Sequence, residues 1–546
     1  MPTGLFQSCF LFFIEFKSFK KGWKLMAYPS IEQVLALKNE YTLIPVAETI
    51  WSDNLTPIRI FQHIRQPYSF LLESVEGGAM WARYSFIGHN PFLLFRSHRG
   101  KGIVEYFEGN PNHRSSHRPV RSEELNGSPL DGLKQLLQRY KSPAGLNLPR
   151  FSGGAVGYIG YDAVPLLADV PPHRQKVLEQ DEIRLMFCDE IIAFDHLRQE
   201  ITFIGHLHLR PEMEPAEVRK AYEEKVKHLR QKIEALSYGF HQGTAQTFRL
   251  PDELPQVNWD QVTSNFSKPA FIKAVDTIKE HIKSGEILQA VLSQRFTVTT
   301  KVSPFDIYRT LRMVNPSPYL YYLDLGDGSQ IVGSSPERLV QVEHGKITVN
   351  PIAGTRKRGR TKEEDRKLAE NLLSDAKELA EHDMLLELGQ KDVSRVAQEG
   401  SITVPKRMEI QYFSHVMHLV STIEGQVRAD CDLIDCLASC FPAGTVSGAP
   451  KERAMQILAE LEHECRHAYS GAIGYLSFSG NMDTCIGIRT IFMRENIAHI
   501  QAGAGIVADS VPELEWKETR NKASALLVAI QLAELMFHGE ENKIHA

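Results

Sequence analysis

The chain has 546 residues, enough for two large domains or several small ones, and its hydrophobic (42%) and charged (24%) shares are ordinary for a globular protein. Its 62 Lys and Arg against 67 Asp and Glu give a formal charge of −5, which argues against a nucleic-acid-binding protein. The 7 cysteines are odd in number and include no C-x-x-C pair. They read as free thiols of a reducing compartment, with Cys431, Cys436 and Cys440 as core residues rather than a zinc knuckle.

Residues 1–25 contain one apolar run, Phe10 to Ile14, too short to span a bilayer, and Lys17, Lys20, Lys21 and Lys24 follow it, the reverse of a secretory signal. The expectation is a non-native or disordered extension, a start at Met26 and a cytoplasmic protein with no membrane segment. From 26 to 236, β-rich runs such as SFLLESV, RYSFIG, FLLFRS, GIVEYF and GGAVGYIGYD alternate with turns and end in a helix from Pro215 to Leu236. Residues 237–268 are polar and punctuated by Gly and Pro, as in a linker. A second domain, 269–537, opens with Phe271, Val275, Ile278 and Ile282 at helical spacing before Gly285, and closes in a long helix from 511, leaving 538–546 as a tail.

In that last helix Ser510, Pro512 and Glu513 form a capping-box start, which places Glu515, Glu518 and Lys522 on one face. A second acidic pair, Glu378 and Glu381, has the same spacing in a helix that Ser374 is placed to cap. On its own each pair reads as a solvated surface; together they are a donor set suited to Mg²⁺, which binds one or two carboxylates and keeps waters and a substrate oxygen. Gly503 and Gly505 read as a tight turn able to bring backbone N–H groups to an anion, and Arg489 as a two-pronged carboxylate clamp. Glu337 in SSPERL, His415 and His418 in HVMHLVSTIEG, and Thr445 in FPAGTVSGAPK complete the chemistry-bearing residues; the two histidines fall on opposite faces of a strand.

Taken with LLESVEGGAMWARYSFIG, IAGTRKRG, YSGAIGY, GIRT and AGAGIVADSVPELEWKETRNKA, these segments resemble the chorismate-binding enzyme family in order over roughly residues 30–535, and within it the anthranilate synthase component I type. The resemblance implies an α+β fold of two antiparallel sheets packed face to face with helices outside, both halves contributing strands. It implies conversion of chorismate and ammonia to anthranilate and pyruvate, the first step of tryptophan biosynthesis. It also implies Mg²⁺ surrounded by Glu378, Glu381, Glu515 and Glu518. The substrate would be bound by Tyr469, Arg489, Lys522 and the Gly503-Ala504-Gly505 segment, with Gln289, Ala353, Gly354, Thr355 and Thr445 lining the pocket. Glu337 resembles the acid for the departing C4 hydroxyl, and His418 the residue tied to elimination of pyruvate.

Related activities differ at identifiable positions. Aminodeoxychorismate synthases commonly carry a nucleophilic Lys where this chain has Ala353, and isochorismate synthases a water-activating Lys where it has Gln289. After Gly389 this chain reads Gln390-Lys391-Asp392 in place of the family's Arg-Asn-Asp. No cysteine sits in a glutaminase context, so the resemblance implies a small glutamine amidotransferase subunit as the ammonia source, in a heterotetramer. Glu73 and Ser74, with Asn315, Pro316, Pro318 and Tyr319 from the second domain, resemble the family's site for tryptophan as feedback inhibitor.

Overall fold

The computed structural model describes residues 27–51, 55–74, 83–107, 118–173, 175, 178–239, 253–413 and 416–537. The N-terminal extension, the middle of the linker, His415 and the C-terminal tail therefore lie outside the described residues.

Two antiparallel sheets, each of 12 strands, make the body, and each is assembled from both halves of the chain. In the first, strands from the N-terminal half join those of the second half where Phe70–Glu73 pairs with Tyr319–Asp324. In the second sheet, Gly154–Ile159 joins Ala472–Ser477. The boundary in the sequence is thus crossed by a ladder in both sheets.

The central strands, such as Gly154–Ile159 and Ile183–Cys188, are buried on both faces, which is why they read as continuous apolar runs rather than clean alternation. In Ile183–Cys188, Met186 and Cys188 enter the layer between the sheets, while Ile183, Leu185 and Phe187 face outward. Phe70, Phe86 and Tyr321 of the first sheet meet Val156, Tyr158 and Tyr475 of the second in that layer. Helices cover the outer faces: Pro57–Ile64, Pro304–Val314 and Pro512–Phe537 lie on the first sheet, and Pro129–Arg139 and Leu433–Cys440 on the second.

Local signals set the helix ends with two revisions. Lys268–Lys283 stops before Gly285, whose φ of +80° an L side chain would resist. Ala376–Ser394 is capped by Asp375, whose carboxylate accepts the Lys377 and Glu378 amides, and not by Ser374, which ends the preceding helix Lys362–Ser374. A short acidic side chain at the N-terminus also favours the helix dipole, which a serine does not. In the final helix Pro512 is the first helical residue, and Ser510 Oγ accepts the Val507 amide at 3.1 Å instead of the Glu513 amide. Among the described residues, no helix is long and apolar enough to cross a membrane.

Candidate active site

Segments from both sheets and from two helices make up the site. Strand Gln289–Thr299 pairs with Ile497–Ile506, setting Val291 opposite Gly505 and Ser293 opposite Gly503. The two glycines therefore sit in a strand, not in a turn, and neither has a positive φ. They are needed for space instead: a Cβ on Gly503 would lie 2.7 Å from the Tyr469 hydroxyl, and one on Gly505 2.8 Å from the Gln289 amide nitrogen. Those bare positions hold Tyr469 and Gln289 against the strand. Ala504, between them, is fully buried on the other face.

Lys522 is the hub. Its Nζ donates to the Gly503 carbonyl at 3.0 Å and pairs with Glu518 at 2.7 Å, while Arg489 Nη1 donates to the Lys522 carbonyl at 2.6 Å. Arg489 precedes strand Thr490–Arg494 with φ 51°, a conformation that turns its side chain back toward the final helix. Burial presses on its guanidinium, and Tyr469 and Glu518 offset that.

The two acidic pairs face one another across the opening. The Glu381 carboxyl is raised by burial, by its neighbour Glu378 and by Glu518 of the other helix; that of Glu515 is raised by burial and by Glu518, with Lys522 opposing. Like charges gathered this way carry a cost that nearby cations relieve only in part and that a divalent cation would reduce further. Glu378 is partly neutralised by Arg356, whose Nη1 donates to it at 3.1 Å. Among the described residues no group of three His, Cys, Asp or Glu side chains forms a ready-made metal cage. Mg²⁺ does not need one, since it commonly takes one or two carboxylates and keeps several waters. Hard oxygen donors in mutual repulsion thus fit such an ion.

On the opposite wall, Glu337 follows strand Ser329–Ser335 and accepts a hydrogen bond from Thr445 Oγ1 at 2.9 Å. Burial pushes its carboxyl up to about 7; the Thr445 bond and the charge of Lys522 offset only part of that. His418 lies across the ladder from Thr355, whose Oγ1 is 2.9 Å from its Nδ1. The same nitrogen is 3.3 Å from the Gly354 carbonyl, which accepts only from an N–H, so the neutral ring carries its proton on Nδ1 and leaves Nε2 basic. Burial lowers the His418 pKa and keeps that neutral form. Gly354, at φ 69°, forms the bulge between Ala353 and Thr355, and a Cβ there would come within 3.2 Å of Glu378. Ala353 is buried and pairs with Leu419.

Beneath this wall lies a bond network that spacing did not reveal. Arg466, fully buried, donates to the carbonyls of Val291 and Val446, both at 2.7 Å, and pairs with Glu462 at 2.6 Å. Glu462 in turn accepts from the amide and hydroxyl of Ser293. This pair ties the Gln289 strand to the Thr445 loop. Its i, i+4 spacing within LEHECRH was the available signal, though nothing in the sequence marks it as buried.

The junction of the halves holds the other predicted group. Glu73 is buried, accepts from Tyr308 Oη at 2.5 Å and pairs with Arg312 at 3.2 Å; its Oε1 and the Ser74 hydroxyl are buried without partners. Glu73, Leu320 and Ser334 lie abreast on three adjacent strands, and the Asn315 amide donates to Ser334 Oγ at 3.3 Å. Pro316 and Pro318 follow in the same loop, Pro318 buried. Tyr319 points to the other face of its strand, where its hydroxyl lies between Arg338 (2.7 Å) and Asp483 (2.9 Å).

Comparison with known proteins places this geometry. Residues 90–528 match the family described as chorismate binding enzyme. Anthranilate synthase component 1 of Acetivibrio thermocellus is 46% identical over 510 residues, 93% of this chain and 99% of that protein. The crystal structure of anthranilate synthase component I from Streptococcus pneumoniae superposes with a TM-score of 0.69 at 34% identity, covering 88% of this chain and 98% of that one. The menaquinone-specific isochorismate synthase of Escherichia coli shares the fold, with a TM-score of 0.62 at 19% identity, 92% of this chain and 98% of that one. The chain belongs to the chorismate-binding enzyme family and, within it, to the anthranilate synthase component 1 proteins.

Proposed function

We propose that this chain is the catalytic subunit of a cytoplasmic, Mg²⁺-dependent anthranilate synthase that converts chorismate and ammonia to anthranilate, pyruvate and water. The carrying observation is Glu337: a carboxyl pushed up to about 7, hydrogen-bonded to Thr445, opposite a cluster of carboxylates and beside Lys522. An acid with that pKa holds its proton near neutral pH and can still release it.

Glu378, Glu381, Glu515 and Glu518 would hold Mg²⁺, which when bound neutralises their charge and the substrate's ring carboxylate. Arg489 and Lys522 supply the cationic donors for the substrate's carboxylates, and Tyr469 packs against the Gly503 strand to shape the floor. Glu337 gives its proton to the C4 hydroxyl, which leaves as water while ammonia attacks C2. His418, neutral with Nε2 free, is the base for the C2 proton whose loss accompanies expulsion of pyruvate.

Gln289 has no lone pair basic enough to activate water, and Ala353 offers no amine, so ammonia is left as the nucleophile. The aminodeoxychorismate reading is disfavoured by the same Ala353. A glutamine amidotransferase partner would supply the ammonia in a heterotetramer, and tryptophan would bind at Glu73 and Ser74 as feedback inhibitor. The unpartnered Glu73 Oε1 and Ser74 hydroxyl are acceptors of the kind an amino acid's ammonium requires. The test is incubation of purified chain with chorismate, Mg²⁺ and an ammonium salt, with product identification. Anthranilate with ammonium and none with glutamine is expected; aminodeoxychorismate, or no turnover, overturns the proposal.

A further inference from the structure

Beside Glu337 lies a small cavity of about 60 Å³, lined in part by the helix that carries Glu378 and Glu381. Its wall includes Glu337, Arg338, Asn350, Asp392 and Thr445 among mostly apolar neighbours such as Leu388 and Ala443. A space of that size holds roughly two to four waters, and the polar groups around it can bind them. Asp392 is the cavity's second carboxyl. It lies on helix Ala376–Ser394, and its outer side is held by Lys451 Nζ at 2.6 Å. Lys451 also reaches the Cys440 carbonyl at 3.5 Å. Lys451 and Arg395 favour the charged form of Asp392, but burial outweighs them and raises its carboxyl, so it exchanges a proton more readily than an exposed ion pair would.

The proposed chemistry gives this arrangement a task. When the C4–O bond breaks, its electron pair leaves with the oxygen, which takes the Glu337 proton and departs as water, so Glu337 is left as a carboxylate. The new C2–N bond forms from ammonia, and the resulting ammonium loses one proton to solvent. Protons therefore balance over the cycle, but Glu337 must recover one before it can act again, and substrate or product fills the side facing the reaction.

We propose that Asp392, through water in the cavity, returns to Glu337 the proton it gives up in each turnover. This rests on the anthranilate synthase reading. Asp392 acts through Glu337 and touches no substrate. The proposal also gives Asp392 a role independent of its neighbours Gln390 and Lys391, where the chain departs from the family.

The test uses the full chain with Mg²⁺ and ammonium fixed and chorismate varied, and compares wild type with Asp392→Asn, which keeps shape and loses the proton. The expected result is a kcat lowered about tenfold or more, with KM for chorismate unchanged, and partial recovery as imidazole buffer is raised, while wild type is indifferent to imidazole. A merely structural role would not produce buffer rescue. Wild-type kcat in Asp392→Asn, or a loss that imidazole does not restore in folded protein, overturns the proposal. If Asp392→Asn does not fold, Ala443→Leu narrows the cavity with both carboxyls in place: a lower kcat with a larger solvent deuterium isotope effect is expected, and unchanged values overturn it. Absence of anthranilate from wild type would instead overturn the reading on which this one rests.

Discussion

Glu337 and Glu73 are both carboxyls raised by burial, each held by a hydroxyl, yet their surroundings set them to different work. Glu73 accepts from Tyr308 and has Arg312 at 3.2 Å, inside a packed junction under helix Pro304–Val314. Glu337 accepts from Thr445, feels Lys522 only through space, and borders a cavity. A buried carboxyl packed between a hydroxyl and a cation in a closed junction, as Glu73 is, holds structure together. One with only a hydroxyl keeps its proton available, and it belongs to chemistry.

The strongest way to break that comparison is Glu337→Gln. The amide keeps the shape and the Thr445 contact but cannot donate a proton to a leaving hydroxyl, so kcat should fall roughly a thousandfold. Because the folded-state pKa lies above that of the unfolded chain, the native form binds this proton more tightly, and stability falls as pH rises from about 4.5 to about 7. Glu337→Gln removes that loss, and thermal unfolding at pH 8 should show the variant more stable by roughly 3 kcal/mol. A variant less stable than wild type at pH 8 would show that Glu337 is a structural anchor like Glu73.

Next in size is the metal. Glu518→Gln removes one of the charges that raise Glu381 and Glu515 and frees Lys522 from its 2.7 Å pair. The Mg²⁺ concentration for half-maximal turnover should rise roughly 10- to 100-fold, and a chelator should abolish wild-type activity. An unchanged Mg²⁺ titration would return these helices to ordinary solvated surfaces.

The family and the two-sheet α+β fold were legible in the sequence, and so was the helical spacing that sets Glu515, Glu518 and Lys522 on one face, because periodicity is local; the grouping of both Glu pairs with Glu337 and His418 came only from the family resemblance. Three features were not. The ladders joining Phe70–Glu73 to Tyr319–Asp324 and Gly154–Ile159 to Ala472–Ser477 link residues hundreds of positions apart, and no periodicity encodes such pairing. Gly503 and Gly505 pointed to a turn because glycine usually signals φ > 0, whereas here side chains from other segments need the missing Cβ. The Arg466–Glu462 pair was not singled out, since an i, i+4 spacing carries no sign of burial, which depends on what the fold stacks above it.

Smaller effects are expected at the junction. Ser74→Phe fills the space beside the unpartnered hydroxyl and should raise the inhibitory tryptophan concentration about tenfold, or about 1.4 kcal/mol, with uninhibited turnover intact. Equal sensitivity in folded wild type and variant would move the regulatory site elsewhere. Glu73→Gln should leave ammonia-dependent turnover nearly unchanged but cost about 1–3 kcal/mol of stability, read by denaturant titration, because Arg312 loses its partner. A collapse of turnover there would erase the distinction between the two carboxyls.

The most direct measurement of the central claim is the pH dependence of anthranilate formation by the purified chain, with chorismate and Mg²⁺ saturating and each rate divided by the concentration of free NH₃. With Glu337 as the acid and its carboxyl at about 7, that ratio should be level below neutrality and fall about tenfold per pH unit above it, as the proton is lost. A ratio that stays level to pH 9 would contradict a protonated Glu337 in the reaction.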